Sequence, residues 1–189
     1  MERFILLIVS LSLVISCYGQ QTVPVRFQYE ETDSPASSLI IKLSGELQGT
    51  TYRIRMAHYT NGSVSYKILN EQPSIVTDTV LSIHISAEPL HAHEVNFIIE
   101  GDKSIVEKAE VDDVLHSILM ETYSDKPYTS TDTIPLAGYT SGALREVMIN
   151  GELQQGGSYC DVRDAALSPP KWHEAFNMKE YIWFDLIFE

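Results

Sequence analysis

The chain has 189 residues, with 26 Asp and Glu against 13 Lys and Arg, and a formal charge of −13. Such an excess of carboxylates repels phosphate backbones and anionic lipid, which argues against nucleic acid and acidic membrane surfaces as partners. The acidity serves solubility first, and the length is enough for one domain with a real core.

The first element in chain order is a leader. Arg3 precedes Phe4-Ile5-Leu6-Leu7-Ile8-Val9, apolar residues continue to Ile15, and the small residues Ser16, Cys17 and Gly19 follow. The run is short for a bilayer span and has the order of a secretory signal peptide cleaved after Gly19. A second reading takes Val14-Ile15-Ser16-Cys17 as a bacterial lipoprotein box, with the chain anchored at Cys17. No later stretch is apolar for long enough to span a bilayer. The mature chain then keeps about 170 residues and one thiol, Cys160. It has no partner for an intrachain disulfide, so the thiol is either buried or joins a second chain, which opens a homodimer. Burial against Tyr181–Phe188 is the preferred expectation, because free cysteine behaves as a small hydrophobe.

Strand signals come next. Val23–Tyr29 alternates, Glu31–Ser38 is a polar loop with Pro35, Leu39–Leu47 is a strand and Gly49-Thr50 a turn. Tyr52–Tyr59 sets Tyr52, Ile54, Met56 and His58 against Arg53, Arg55, Ala57 and Tyr59. Asn61-Gly62-Ser63 is both a tight-turn signal and a glycosylation sequon on Asn61. Ser63–Leu69 and Val76–Ser86 alternate again, Pro89 ends the latter, and Glu94–Glu100 runs to Gly101-Asp102. Short strands at this spacing predict an antiparallel β-sandwich or flattened barrel of Greek-key type.

Ser104–Tyr123 reads differently. Val111, Val114, Leu115, Ile118 and Leu119 recur at helical spacing behind the acidic Glu107, Glu110, Asp112 and Asp113, which predicts one amphipathic helix centred on Val111–Leu119. Lys126–Thr133 is a loop, Gly142–Gly151 a strand and Gln154–Ser158 a turn. Tyr181–Phe188 is an aromatic, β-prone closing segment. Trp172 and Trp183 are expected to complete a core.

Four pieces stand in an order met elsewhere: Val25-Arg26-Phe27-Gln28, Ile41–Leu47 leading to Tyr52–Tyr59, Ile75–Ile83 leading to Glu94–Asp102, and Ser141–Gly151. Together they resemble the copper/zinc superoxide dismutase domain over Val23–Gly151. The resemblance implies a dismutase-like sandwich over 20–151, with 152–189 an extension packing on or flanking it. It places the family's copper histidines at Arg55, Ala57 and Glu100, its anion-guiding arginine at Leu144 with Arg145 one place off, and its disulfide cysteine at Val147. The zinc-loop interval Thr60–Ile75 contains no histidine. An arginine cannot replace a metal-bound imidazole, so Arg55 is expected to be ion-paired or outward-facing, and neither catalytic residues nor a cofactor is expected.

An alternative metal centre, for copper or zinc, uses His91 and His93 with His84, because residues i and i+2 of a strand share a face. His58, His116 and His173 have no helpful sequence neighbours. The chain shows no G-x-S-x-G, H-E-x-x-H or phosphate-binding glycine loop. The functional expectation is a secreted, non-catalytic binding or decoy module for an extracellular protein. The alternatives are a metal-binding or redox protein, or an unrelated immunoglobulin-like interaction domain.

Overall fold

A computed structural model describes residues 22–23, 37–122, 128–129, 132–149 and 152–189. The leader expected over 1–19, the lipoprotein alternative at Cys17 and most of the strand expected over Val23–Tyr29 lie outside the described residues.

The strands are β1 (Thr22–Val23), β2 (Ser37–Ser44), β3 (Thr51–Thr60), β4 (Ser63–Ile68), β5 (Ser74–Ile75), β6 (Val80–His91) and β7 (Glu94–Glu100). They continue as β8 (Ser104–Glu110), β9 (Ile118–Glu121), β10 (Tyr128–Thr129), β11 (Thr133–Thr140), β12 (Ala143–Ile149) and β13 (Glu152–Ser158). Two short helices, α1 (Tyr159–Asp164) and α2 (Trp172–Phe176), then lead to β14 (Glu180–Phe188). The fold class is as the alternation predicted: mainly β, with the described strand pairs antiparallel.

A four-stranded sheet runs β2-β6-β7-β8 and a larger one β4-β3-β14-β11-β9, with β5 also on β3. The sequence-distant neighbours β2–β6 and β3–β14 mark where the chain crosses between sheets. Inner faces meet in one apolar core, in which Phe97 of the small sheet stands edge-on to Tyr139 and Phe184 of the large one. The sandwich closes along one side where Leu119 N–H of β9 donates to Ser37 Oγ of β2 at 2.8 Å. On the other side Lys67 of β4 reaches Glu107 of β8 at 2.7 and 2.8 Å.

A second core lies on the outer face of the large sheet. Val162 of α1, Trp172 of α2 and Met178 pack over Ala57, Tyr59, Tyr181 and Trp183. Trp172 fits there because Gly138 of β11 has no side chain. A Cβ on Gly138 would stand 2.4 Å from the indole ring. β14 is therefore buried on both faces. Ile182, Phe184 and Leu186 point into the inter-sheet core, and Tyr181 and Trp183 point under the cap. A strand covered on both sides reads as a continuous apolar run, which is what Tyr-Ile-Trp-Phe-Asp-Leu-Ile-Phe is.

Several expectations change. The helix over Val111–Leu119 is absent: Ser104–Glu110 is β8, paired residue for residue with β7, and Ile118–Glu121 is β9. Alternation places Ile105, Glu107 and Ala109 inward on β8, and Val111, Val114 and Leu119 are buried by a strand end, a crossover and a strand. Leu115, which the helix would have buried, is 77% exposed. The helical residues lie instead at 159–164 and 172–176. Pro89 does not end β6, which continues to His91 through a register shift. The turn expected at Gln154–Ser158 is strand β13. The segment 152–189, expected to pack on or flank the domain, supplies β14, the strand between β3 and β11.

Candidate functional site

At one end of the sandwich, β3 finishes, β14 begins and β8 passes into the crossover 111–117. An open cleft of about 680 Å³ lies there, lined by Met56, His58, Thr60, His93, Lys108, Glu110, Asp112 and Glu180 among others. A smaller cavity of about 200 Å³ adjoins it between the crossover and the end of β11, and shares Val111, Asp112 and Glu180.

Alternation puts His58 on the inner side of β3, beyond Met56, where the core opens to solvent. Glu180 occupies the matching side of β14. His58 Nε2 lies 2.8 Å from Glu180 Oε1, and Glu180 Oε2 accepts the Asp112 N–H at 2.6 Å. The Asp112 carbonyl accepts from His93 Nδ1 at 3.0 Å, and the Val111 N–H donates to the His93 carbonyl at 3.0 Å. The backbone of Asp112 is thus gripped from both sides, by β14 and by the β6–β7 turn.

The rest of the crossover is pinned by its own side chains. Asp113 Oδ1 accepts from His116 N at 3.2 Å and pairs with His116 Nδ1 at 2.9 Å, while Ser117 Oγ donates to the Asp113 carbonyl at 2.5 Å. Tyr139 Oη donates to Val114 O at 3.3 Å, and Tyr159 Oη donates to His116 O. Burial, then the Asp113 charge, pushes the Tyr139 phenol up to about 12, and the same two causes raise Tyr159. Both phenols therefore stay protonated near neutrality and act as donors.

The arrangement offers a His–Glu pair, a second imidazole and a lysine around a solvent-open cleft. The hydroxyl that reaches His58, Ser65 Oγ, donates to its backbone carbonyl at 3.5 Å and not to the ring, whose Nε2 faces Glu180. Sequence reading gave His58 no role. Its partner is 122 residues away, and the only signal was its place as the last inward residue of an alternating strand.

The positions equated with copper ligands are otherwise employed. Arg55 donates through Nε and Nη2 to Asp185 Oδ2 at 3.1 and 2.6 Å. Trp183 Nε1 donates to the same oxygen at 3.1 Å, and the guanidinium lies 4.5 Å from the Tyr66 ring centroid. Ala57 is fully buried in the outer core. Glu100 sits on the outer face of the small sheet beside His84, at 3.0 Å. Arg55 and Ala57 face one side of the sandwich and Glu100 the other, so these three cannot surround one ion. Leu144, Arg145 and Val147 lie on β12, opposite Gly157, Gly156 and Gln154.

His84, His91 and His93 are not brought together. His84 is on the small sheet's outer face, His91 ends β6, and His93 is in the two-residue turn that follows, where strand periodicity no longer applies. Among the described residues no group of three or more His, Cys, Asp or Glu is placed to hold a metal ion. Asn61 and Gly62 form an exposed two-residue turn with φ of 46° and 94°, the geometry Asn-Gly favours between paired strands. Cys160 is exposed on α1, against the preferred expectation of burial, because β14 turns its aromatic residues to the two cores. No described helix is long and apolar enough to cross a membrane.

Comparison with protein-family models, curated proteins and solved structures finds no match to this chain.

Proposed function

We propose that this is a non-catalytic extracellular interaction module: a secreted, dismutase-like β-sandwich without the metal site, glycosylated at Asn61, that binds an extracellular protein. The use of Arg55, Ala57 and Glu100 carries the reading. Two of these residues hold the outer core together and the third lies across the sandwich from them. The leader-like residues 1–19 and the exposed turn at Asn61 support secretion and glycosylation. The cleft around His58 and Glu180 supplies donors and acceptors on a rigid frame, as a recognition site requires.

The test is metal analysis and superoxide turnover on purified protein incubated with copper and zinc, then dialysed. The expected result is no stoichiometric metal and no turnover above buffer. About one copper per chain, with turnover, would overturn the proposal.

A further inference from the structure

β4 is an edge strand whose six residues are all exposed. Its register against β3 fixes which backbone groups are unused. Thr60 and Ser63 close the two-residue turn, and the Leu69 N–H donates to Ile54 O at 2.9 Å. Hydrogen-bonded pairs alternate with non-bonded ones, so Ser63, Ser65 and Lys67 turn their backbone groups to β3. Val64, Tyr66 and Ile68 turn theirs outward. The same three carry the apolar side chains, 38%, 56% and 39% exposed.

Edges of this kind are normally blunted by proline, by an outward lysine or by a covering segment. The edge of β9 lies against β2, and β8 carries Glu107, Lys108 and Glu110. β4 has no proline, and its one lysine is held at Glu107. Charge favours this edge as well. Residues 47–70 contain three basic residues, Arg53, Arg55 and Lys67, and no acid, in a chain of net charge −13. Each of the three is neutralised, by Glu189, Asp185 and Glu107. Two copies can therefore meet here without opposing carboxylates, although the chains repel overall.

We propose that two copies of the chain pair antiparallel through β4 about a two-fold axis at Tyr66, joining their large sheets into one. That register sets Val64 against Ile68 of the second copy, Tyr66 against Tyr66, and Ser65 against Lys67. Every outward-facing residue meets another, and no like charges are opposed. An interface of this kind is self-complementary, as a closed dimer needs. The proposal is independent of the metal question and goes beyond the functional reading above.

Sedimentation equilibrium with reductant present, so that Cys160 cannot link chains, tests it. The wild-type protein is expected to show a concentration-dependent dimer. Val64→Pro removes an outward N–H from each copy and leaves the β3 pairing intact. It should raise the dissociation constant about tenfold or more, with an unchanged circular dichroism spectrum. Val64→Lys should also weaken the dimer, and adding Ile68→Glu should restore it, because only this register places the two new charges opposite each other. A monomer at every soluble concentration would overturn the proposal. So would a dimer indifferent to Val64→Pro, or a β4 edge protected from hydrogen exchange only when a different protein is added.

Discussion

β14 and β4 flank the same strand, β3, and share aromatic and β-branched residues, yet they serve opposite purposes. β14 pairs on both sides and is covered on both faces. β4 pairs on one side and is exposed along its length. Val-Ser-Tyr-Lys-Ile would pass for a half-buried strand on alternation alone, and the run through β14 for a strand buried twice. The difference is one of position in the sheet, which neighbours decide. An apolar residue in β14 holds two layers together, whereas the same residue type in β4 is available to something outside the chain.

The comparison can be broken most severely at Phe184, which is fully buried against Phe97. Phe184→Ala should cost about 3–5 kcal/mol in denaturant unfolding, while Val64→Thr on β4 should stay within about 0.5 kcal/mol under conditions where the chain is monomeric. If the two losses were alike, β14 would not be the strand that joins the layers.

The next effect concerns the one carboxylate buried in β14. Burial holds Asp185 above the ordinary carboxylate range, although Arg55 and the Trp183 N–H pull the other way. The folded state therefore binds this proton more tightly than the unfolded one. The stability cost of ionisation accumulates as pH rises from about 4 through the raised value, and is fully present above it. Arg55→Leu should destabilise by about 3 kcal/mol at pH 7, through an unpaired buried charge. The loss should shrink as pH falls through the raised value, where Asp185 takes up a proton. Thermal melts across that range check it, and a loss that did not change with pH would mean Arg55 acts only by packing over Tyr66.

Gly138→Ala should cost about 1–3 kcal/mol, since the added methyl meets the Trp172 ring and the ring is itself enclosed. The cap should loosen before the inter-sheet core does. Tryptophan fluorescence should then shift at lower denaturant than far-ultraviolet circular dichroism, and coincident transitions would show that cap and sheet unfold as one.

What could be read in advance follows the same division. β7, the first half of β6 and β3 as far as Met56 show plain alternation, because over those stretches one face is buried and the other is not. β11 was hidden: Pro135 and Gly138 are turn signals, yet Pro135 sits at a register shift and Gly138 makes room for an indole. The residues at 111–119 match helical spacing only because a strand end, a crossover and a new strand happen to bury Val111, Val114 and Leu119 in turn. Pairing with β7 decided the segment before them. The His58–Glu180 pair and the Arg55–Asp185 pair each join β3 to β14, and nothing local in the chain announces contacts of that reach.

The placement of β14 also bears on when the molecule can fold. β3 and β11 are separated in the sheet by a strand made later than either, so a nascent chain holding both has a gap where its most buried strand belongs. Until residues 180–188 emerge, the large sheet cannot be completed, and folding that depends on such distant partners is slow. A chain that stays open through synthesis leaves the flank of β3 that β14 will cover exposed until the last strand is made.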